Sequence, residues 1–90
     1  MEKAEPEVAP GVAGNVARRR RMNRHPVSST NITSVGYDQQ SMTLEIEFAS
    51  GTVYQYFDVP ETVHAEFMGS SSKGQFFGSQ IKGGYRFARV

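Results

Sequence analysis

No cysteine occurs among the 90 residues, which removes a disulfide framework, a thiolate metal site and a cysteine nucleophile together. No apolar run approaches the ~18 residues of a membrane span, and the N-terminus lacks the apolar core of a secretory signal. A large excess of either charge is also missing. Ten Lys and Arg stand against nine Asp and Glu, for a formal net charge of +1. That balance excludes a uniformly basic nucleic-acid coat and an acidic solvating tail. The expectation is a cytoplasmic protein with no membrane association and no structural metal. With 38% apolar and 11% aromatic side chains, the chain has room for one small domain.

The charge that is present separates along the chain. Residues 1–10 carry Glu2, Glu5 and Glu7 against Lys3, whereas residues 11–25 carry Arg18, Arg19, Arg20, Arg21 and Arg24 and no acid. No window in this stretch repeats apolar residues at helical or strand spacing. Such a segment buries too little surface to offset the ~1–2 kcal/mol per residue of backbone ordering, so residues 1–25 are expected to be a disordered Arg-rich tail. Residues 26–90 are then the domain. Its bases Lys73, Lys82, Arg86 and Arg89 face six acids, Asp38, Glu45, Glu47, Asp58, Glu61 and Glu66, a net of −2.

From Asn31 the pattern is β. Ile32 to Tyr37 reads as a first strand, closed by the turn-prone Asp38-Gln39-Gln40-Ser41. Met42, Leu44, Ile46 and Phe48 then alternate with Thr43, Glu45 and Glu47, a period of two. Thr52 to Phe57 returns as a third strand. The turn between them sets the register. A two-residue loop at Ser50-Gly51 needs positive φ at Ser50. A three-residue loop, Ala49 to Gly51, puts only Gly51 in the left-handed region. The longer loop is favoured. It places Ile46 opposite Tyr54 and Leu44 opposite Tyr56, with both tyrosines on the apolar face and Gln55 on a wet face with the glutamates; the shorter loop inverts all of this.

A helix is expected next, with Pro60 at its first position, Asp58 and Glu61 near its positive end, and Val63, Phe67 and Met68 as its inward stripe. Gly69 to Ser72 breaks it. Ser72 can cap a second, shorter helix through Phe76, Phe77 and Ile81 that ends at Gly83-Gly84. Tyr85 to Val90 alternates again as a possible edge strand. The fold class is α+β, a three- to four-stranded antiparallel sheet with two short helices packed on one face, preceded by the disordered tail.

The stretch from about Ser28 to Arg89 resembles the KTSC domain, named for the C-terminus of some lysyl-tRNA synthetases. The resemblance rests on Ser29, Ile32, Val35-Gly36-Tyr37-Asp38, Leu44 to Phe48, Gly51, the Tyr-x-Tyr of Tyr54-Gln55-Tyr56, and Val59-Pro60. Ser72-Lys73-Gly74, Phe76-Phe77, Ile81 and Tyr85 complete it, in order. It implies a fold and a stand-alone bacterial or phage-borne member of the family. Through the synthetase association it implies RNA binding. It carries over no catalytic residue, and Gly51, Tyr54, Tyr56, Pro60, Gly74 and Phe77 are expected to be structural.

Several residues admit a chemical reading beside a plain one. Tyr54 and Tyr56 are either a base-stacking platform on an open sheet or core rings, and the favoured register makes them core. Lys73-Gly74-Gln75-Phe76-Phe77 lacks the first aromatic of an RNA-recognition motif, and Gln75-Phe76 stands where a P-loop requires Lys-Ser/Thr. Neither motif applies. Ser72, Lys73 and nearby amides either hold an anion or simply start a capped helix. His25 and His64 have no partners spaced for metal binding or acid–base chemistry. Asn31-Ile32-Thr33 is a glycosylation sequon without meaning in the absence of secretion.

The Arg run is the strongest chemical candidate: five guanidiniums in seven residues, Arg18 to Arg24, are either a phosphate ligand that needs no fold or a solubilising tail or protease-sensitive leader. If all five contact a single strand, the salt slope is on the order of −3.5. Arg86 and Arg89 either extend this patch or protect an edge strand from aggregation. The reading is a non-catalytic module that needs no cofactor or small-molecule substrate. It binds nucleic acid, RNA before DNA, through Arg18, Arg19, Arg20, Arg21, Arg24, Lys73, Arg86 and Arg89. The alternative is a protein-interaction or phage accessory domain.

Overall fold

Leu44, Ile46 and Phe48 lie on the central strand of an antiparallel sheet in the computed structural model of the chain, which describes residues 22–90. The expected tail from Met1 to Arg21 lies outside the described residues. The strands are β1 (His25–Pro26), β2 (Ile32–Asp38), β3 (Thr43–Phe48), β4 (Val53–Tyr56) and β5 (Phe87–Arg89), and they neighbour one another in that order. The sheet thus has five strands, not three to four. The additional one, β1, pairs with β2 through His25 opposite Val35 and Pro26 opposite Ser34. Pro26 disfavours a helical His25, and a proline is tolerated at a sheet edge because its neighbour need not receive an N–H there.

The turn after β3 has the longer form. Gly51 has φ +93°, its amide donates to the Phe48 carbonyl at 2.8 Å, and Phe48 faces Thr52. Ile46 opposes Tyr54 and Leu44 opposes Tyr56, the expected register. The turn before β3 differs from expectation. Met42 does not begin the strand: its φ is +54°, it is 41% exposed, and its carbonyl accepts from the Val59 amide at 2.9 Å. With Asp38 opposite Thr43, four residues must reverse the chain, and the last takes a left-handed conformation that swings its side chain outward.

Helix α1 (Glu61–Gly69) follows Pro60, which stays extended just outside it, one position earlier than expected. The Pro60 carbonyl accepts from the amides of Val63 and His64. Helix α2 (Lys73–Phe76) starts at Ser72, whose hydroxyl accepts from the Gln75 amide at 3.3 Å, and it runs on as a π-helical turn over Phe77–Ile81. Together the helices bury Phe67, Phe77 and Ile81 against Ile32, Val35, Leu44, Ile46, Phe48, Tyr54 and Tyr56. Phe77 sits at the centre, edge-on to Phe48 at 5.2 Å and to Tyr56 at 5.6 Å. No helix among the described residues is long and apolar enough to cross a membrane.

Candidate functional site

The opposite face of the sheet was expected to be wet. It is not: Glu45 is 0% and Gln55 2% exposed. Among the described residues, Met22 to Arg24 lie over it, although the sequence assigns them to the tail. The Met22 amide donates to both carboxylate oxygens of Glu45 at 3.1 Å, the Gln55 amide group donates to one at 2.8 Å, and Arg24 pairs with the other. Arg24 also donates through Nε to Ser34 Oγ at 2.9 Å, and its other arm lies 3.7 Å from Glu47. Ser34 in turn donates to Glu47 at 2.8 Å. A buried carboxylate is tolerated only where charge and hydrogen bonds compensate it, and here Arg24 supplies the charge. Gly36 makes the approach possible, since a Cβ there would overlap the Asn23 carbonyl oxygen and meet Arg24 Cγ at 3.1 Å.

This corrects two expectations. Arg24 is not a cation in a free tail; it is half-buried and holds the segment Met22 to Arg24 to the sheet. Glu45 and Gln55 do not lie on a wet face; both are buried.

The remaining cations separate. Arg18, Arg19, Arg20 and Arg21 lie outside the described residues. Arg86, exposed at one end of the β4–β5 pair, is paired with Asp58 at 2.8 Å and lies over the Phe57 ring at 5.6 Å. Arg89 is exposed opposite Tyr54 on the edge strand, toward the other end. The two sit three residues apart, about 10 Å along a strand, and do not make one compact cluster. Tyr54 is 4% and Tyr56 0% exposed, so neither ring is available to stack on a base. Met42 is the one large apolar side chain exposed among the described residues.

Lys73 borders a polar groove of about 500 Å³ between residues 28–31 on one wall and residues 71–75 on the other. The loop before β2 and the start of α2 approach closely, since a Cβ on Gly74 would meet Asn31 Nδ2 at 3.3 Å. Ser29, Ser72, Lys73 and Gly74 are half-buried at its base, and Ser28, Thr30, Asn31, Ser71 and Gln75 are exposed around its rim. Lys73 Nζ donates to the Ser70 carbonyl at 2.8 Å, which pins the ammonium beside the groove. The sequence singles out Ser72, Lys73 and Gly74 as a local motif but gives no sign that Ser29 and Asn31 would face them.

His64 stacks on Tyr37 with ring centroids 4.4 Å apart and planes 8° from parallel, and the Tyr37 hydroxyl donates to the Val59 carbonyl at 2.5 Å. Burial lowers the His64 pKa, against a smaller raising effect of Glu61. Burial raises that of Tyr37, with Glu61 and Asp38 adding to the shift.

Comparison with known proteins agrees with this architecture. The chain is 44% identical over 59 residues to a lysine–tRNA ligase of Nostoc punctiforme; the match covers 66% of this chain but spans only 10% of the ligase. It is 36% identical over 70 residues to an uncharacterized protein of Stutzerimonas stutzeri, covering 77% of this chain and 99% of that one. The crystal structure of a KTSC domain protein from Yersinia pestis superposes with a TM-score of 0.74 at 46% identity, over 76% of this chain and 96% of that one. The KTSC domain profile matches residues 28–85, and the chain belongs to the KTSC domain family.

Proposed function

We propose that this protein is a small non-catalytic module that binds RNA, with Arg18 to Arg21 gripping phosphates and Lys73, Arg86 and Arg89 adding contacts from the domain. The observation that carries the reading is the placement of charge. Arg24 is used up in compensating Glu45 and Glu47, while Arg18 to Arg21, directly upstream, have no acid anywhere between residues 11 and 25. The acidic strand is thus partly compensated by Arg24, and four further arginines precede in sequence the point where the chain is fastened to the sheet. The relatives of this domain in lysine–tRNA ligases belong to proteins that act on a tRNA, which favours RNA over DNA. With Tyr54 and Tyr56 in the core, binding is expected to be electrostatic and tolerant of sequence.

The test is fluorescence anisotropy with a labelled single-stranded RNA and with DNA of the same sequence. Replacing Arg18, Arg19, Arg20 and Arg21 together by Ala is expected to weaken RNA binding by about tenfold or more at low salt. Unchanged affinity in that variant would remove the reading.

A further inference from the structure

We propose that Glu45 is a receiving site for the α-ammonium group of a shorter form of this protein, one that begins at Met22. The observation is the position of one backbone nitrogen. Met22 N lies 3.1 Å from each of the two Glu45 carboxylate oxygens. A backbone amide has a single N–H, which those two oxygens must share. An α-ammonium in the same place has three N–H bonds, as on a lysine, and gives one to each oxygen. The charge balance points the same way. Among the described residues, Glu45, at 0% exposure, and Glu47 are paired with one cation, Arg24, so two carboxylates face a single guanidinium. Strands β2 and β4 add Ser34, Gly36 and Gln55 to this face, and none of these titrates. A positive charge at residue 22 balances the second carboxylate at a site where burial makes an unmatched charge unfavourable.

A chain of that length is sufficient for the fold. The five strands, both helices and the core all lie within residues 22–90. The Yersinia pestis protein, 96% of which is matched by 76% of this chain, folds at about that size. Residue 22 is itself a methionine, so translation beginning there makes the shorter form directly. The other source is a peptidase that cuts after arginine. Water then adds across the Arg21–Met22 peptide bond, leaving a carboxylate on Arg21 and the ammonium on Met22. From either source the shorter form lacks Arg18 to Arg21. The Glu45 contact is independent of the RNA reading, under which the shorter form is the weaker binder.

The experiment compares the urea midpoints of three chains between about pH 7 and 9.5: residues 22–90, the same chain acetylated at its α-nitrogen, and the full chain. Acetylation restores a single amide N–H and removes the charge. Glu45 is expected to raise the folded pKa of the α-ammonium above its ordinary value of about 7.7–8. The stability from this pair is therefore present below that value and lost as the pH rises through the folded pKa. Residues 22–90 should unfold at higher urea than the acetylated chain at about pH 7 and lose that lead by about pH 9.5, whereas the acetylated and full chains keep level midpoints. Glu45→Gln in residues 22–90 should abolish the pH dependence, and if that variant does not fold, the acetylated chain carries the comparison. Equal midpoints with and without the acetyl group at about pH 7 overturn the pairing. Intact mass of the protein expressed from its full coding sequence identifies the source. A species beginning at residue 22 that disappears with Met22→Leu comes from initiation, and one that disappears with Arg21→Gln comes from hydrolysis. No such species overturns the shorter form. A pH effect without RNA binding by the full chain leaves the Glu45 pairing standing and removes only the RNA reading.

Discussion

At the scale of single residues, the strongest dependence is between Arg24 and Glu45. Arg24→Ala leaves a carboxylate at 0% exposure without its cation, and a broken buried pair of this type costs about 3–5 kcal/mol. Urea unfolding followed by circular dichroism should show that loss, and Glu45→Gln in the same chain should restore part of it by removing the orphaned charge. Were the double variant no more stable than Arg24→Ala alone, charge compensation would not be what holds Met22 to Arg24 in place. His64 supplies a pH dependence. Its folded pKa lies below the ordinary 6.5, so on acidification the unfolded chain takes up the proton first. The associated stability is present above pH 6.5 and is lost as the pH falls through the folded value. His64→Phe keeps a ring against Tyr37 without titrating. Between pH 7.5 and 5.5 its urea midpoint is expected to fall less than that of the parent.

At the scale of elements, side-chain period and turn chemistry do different work. The register of β3 on β4 was legible because Gly51 accepts a left-handed φ that Ser50 resists, and because Leu44, Ile46 and Phe48 must share one face. Gly51→Ala is expected to cost about 1–2 kcal/mol through backbone strain alone, since nothing lies within 4 Å of the added Cβ. Phe77→Ala should cost about 3–5 kcal/mol, because the ring fills the gap between Phe48 and Tyr56. Thermal unfolding of the two variants checks both figures. The helices were legible from the Val63, Phe67, Phe77 and Ile81 spacing and from the Ser72 cap. The left-handed Met42 was not, because its apolar side chain continues the alternation of β3 while its backbone belongs to the turn. Strand β1 was hidden for another reason. His25-Pro26 is too short to show a period, and its position depends on Gly36 and Glu45, which the sequence places 11 and 20 residues away. The groove escaped the sequence in the same way: one of its walls could be read as a motif, but the meeting of Asn31 with Gly74 is made only by tertiary packing.

At the scale of the whole molecule, a domain with buried tyrosines and internally compensated acids is joined to a strongly basic stretch. Of the five arginines between residues 18 and 24, Arg24 pairs with Glu45 in the domain, and the other four are the proposed RNA contacts. That count enters a measurable quantity, because each phosphate neutralised on a single strand releases about 0.7 of a counterion. The most direct test is the dependence of RNA affinity on sodium chloride between about 50 and 200 mM. The account predicts that the logarithm of the association constant falls linearly with the logarithm of salt, with a slope of about −2.8 for the four arginines alone and about −4.9 when Lys73, Arg86 and Arg89 join them. A slope near zero, or affinity that the Arg18 to Arg21 substitutions leave untouched at every salt concentration, would contradict it.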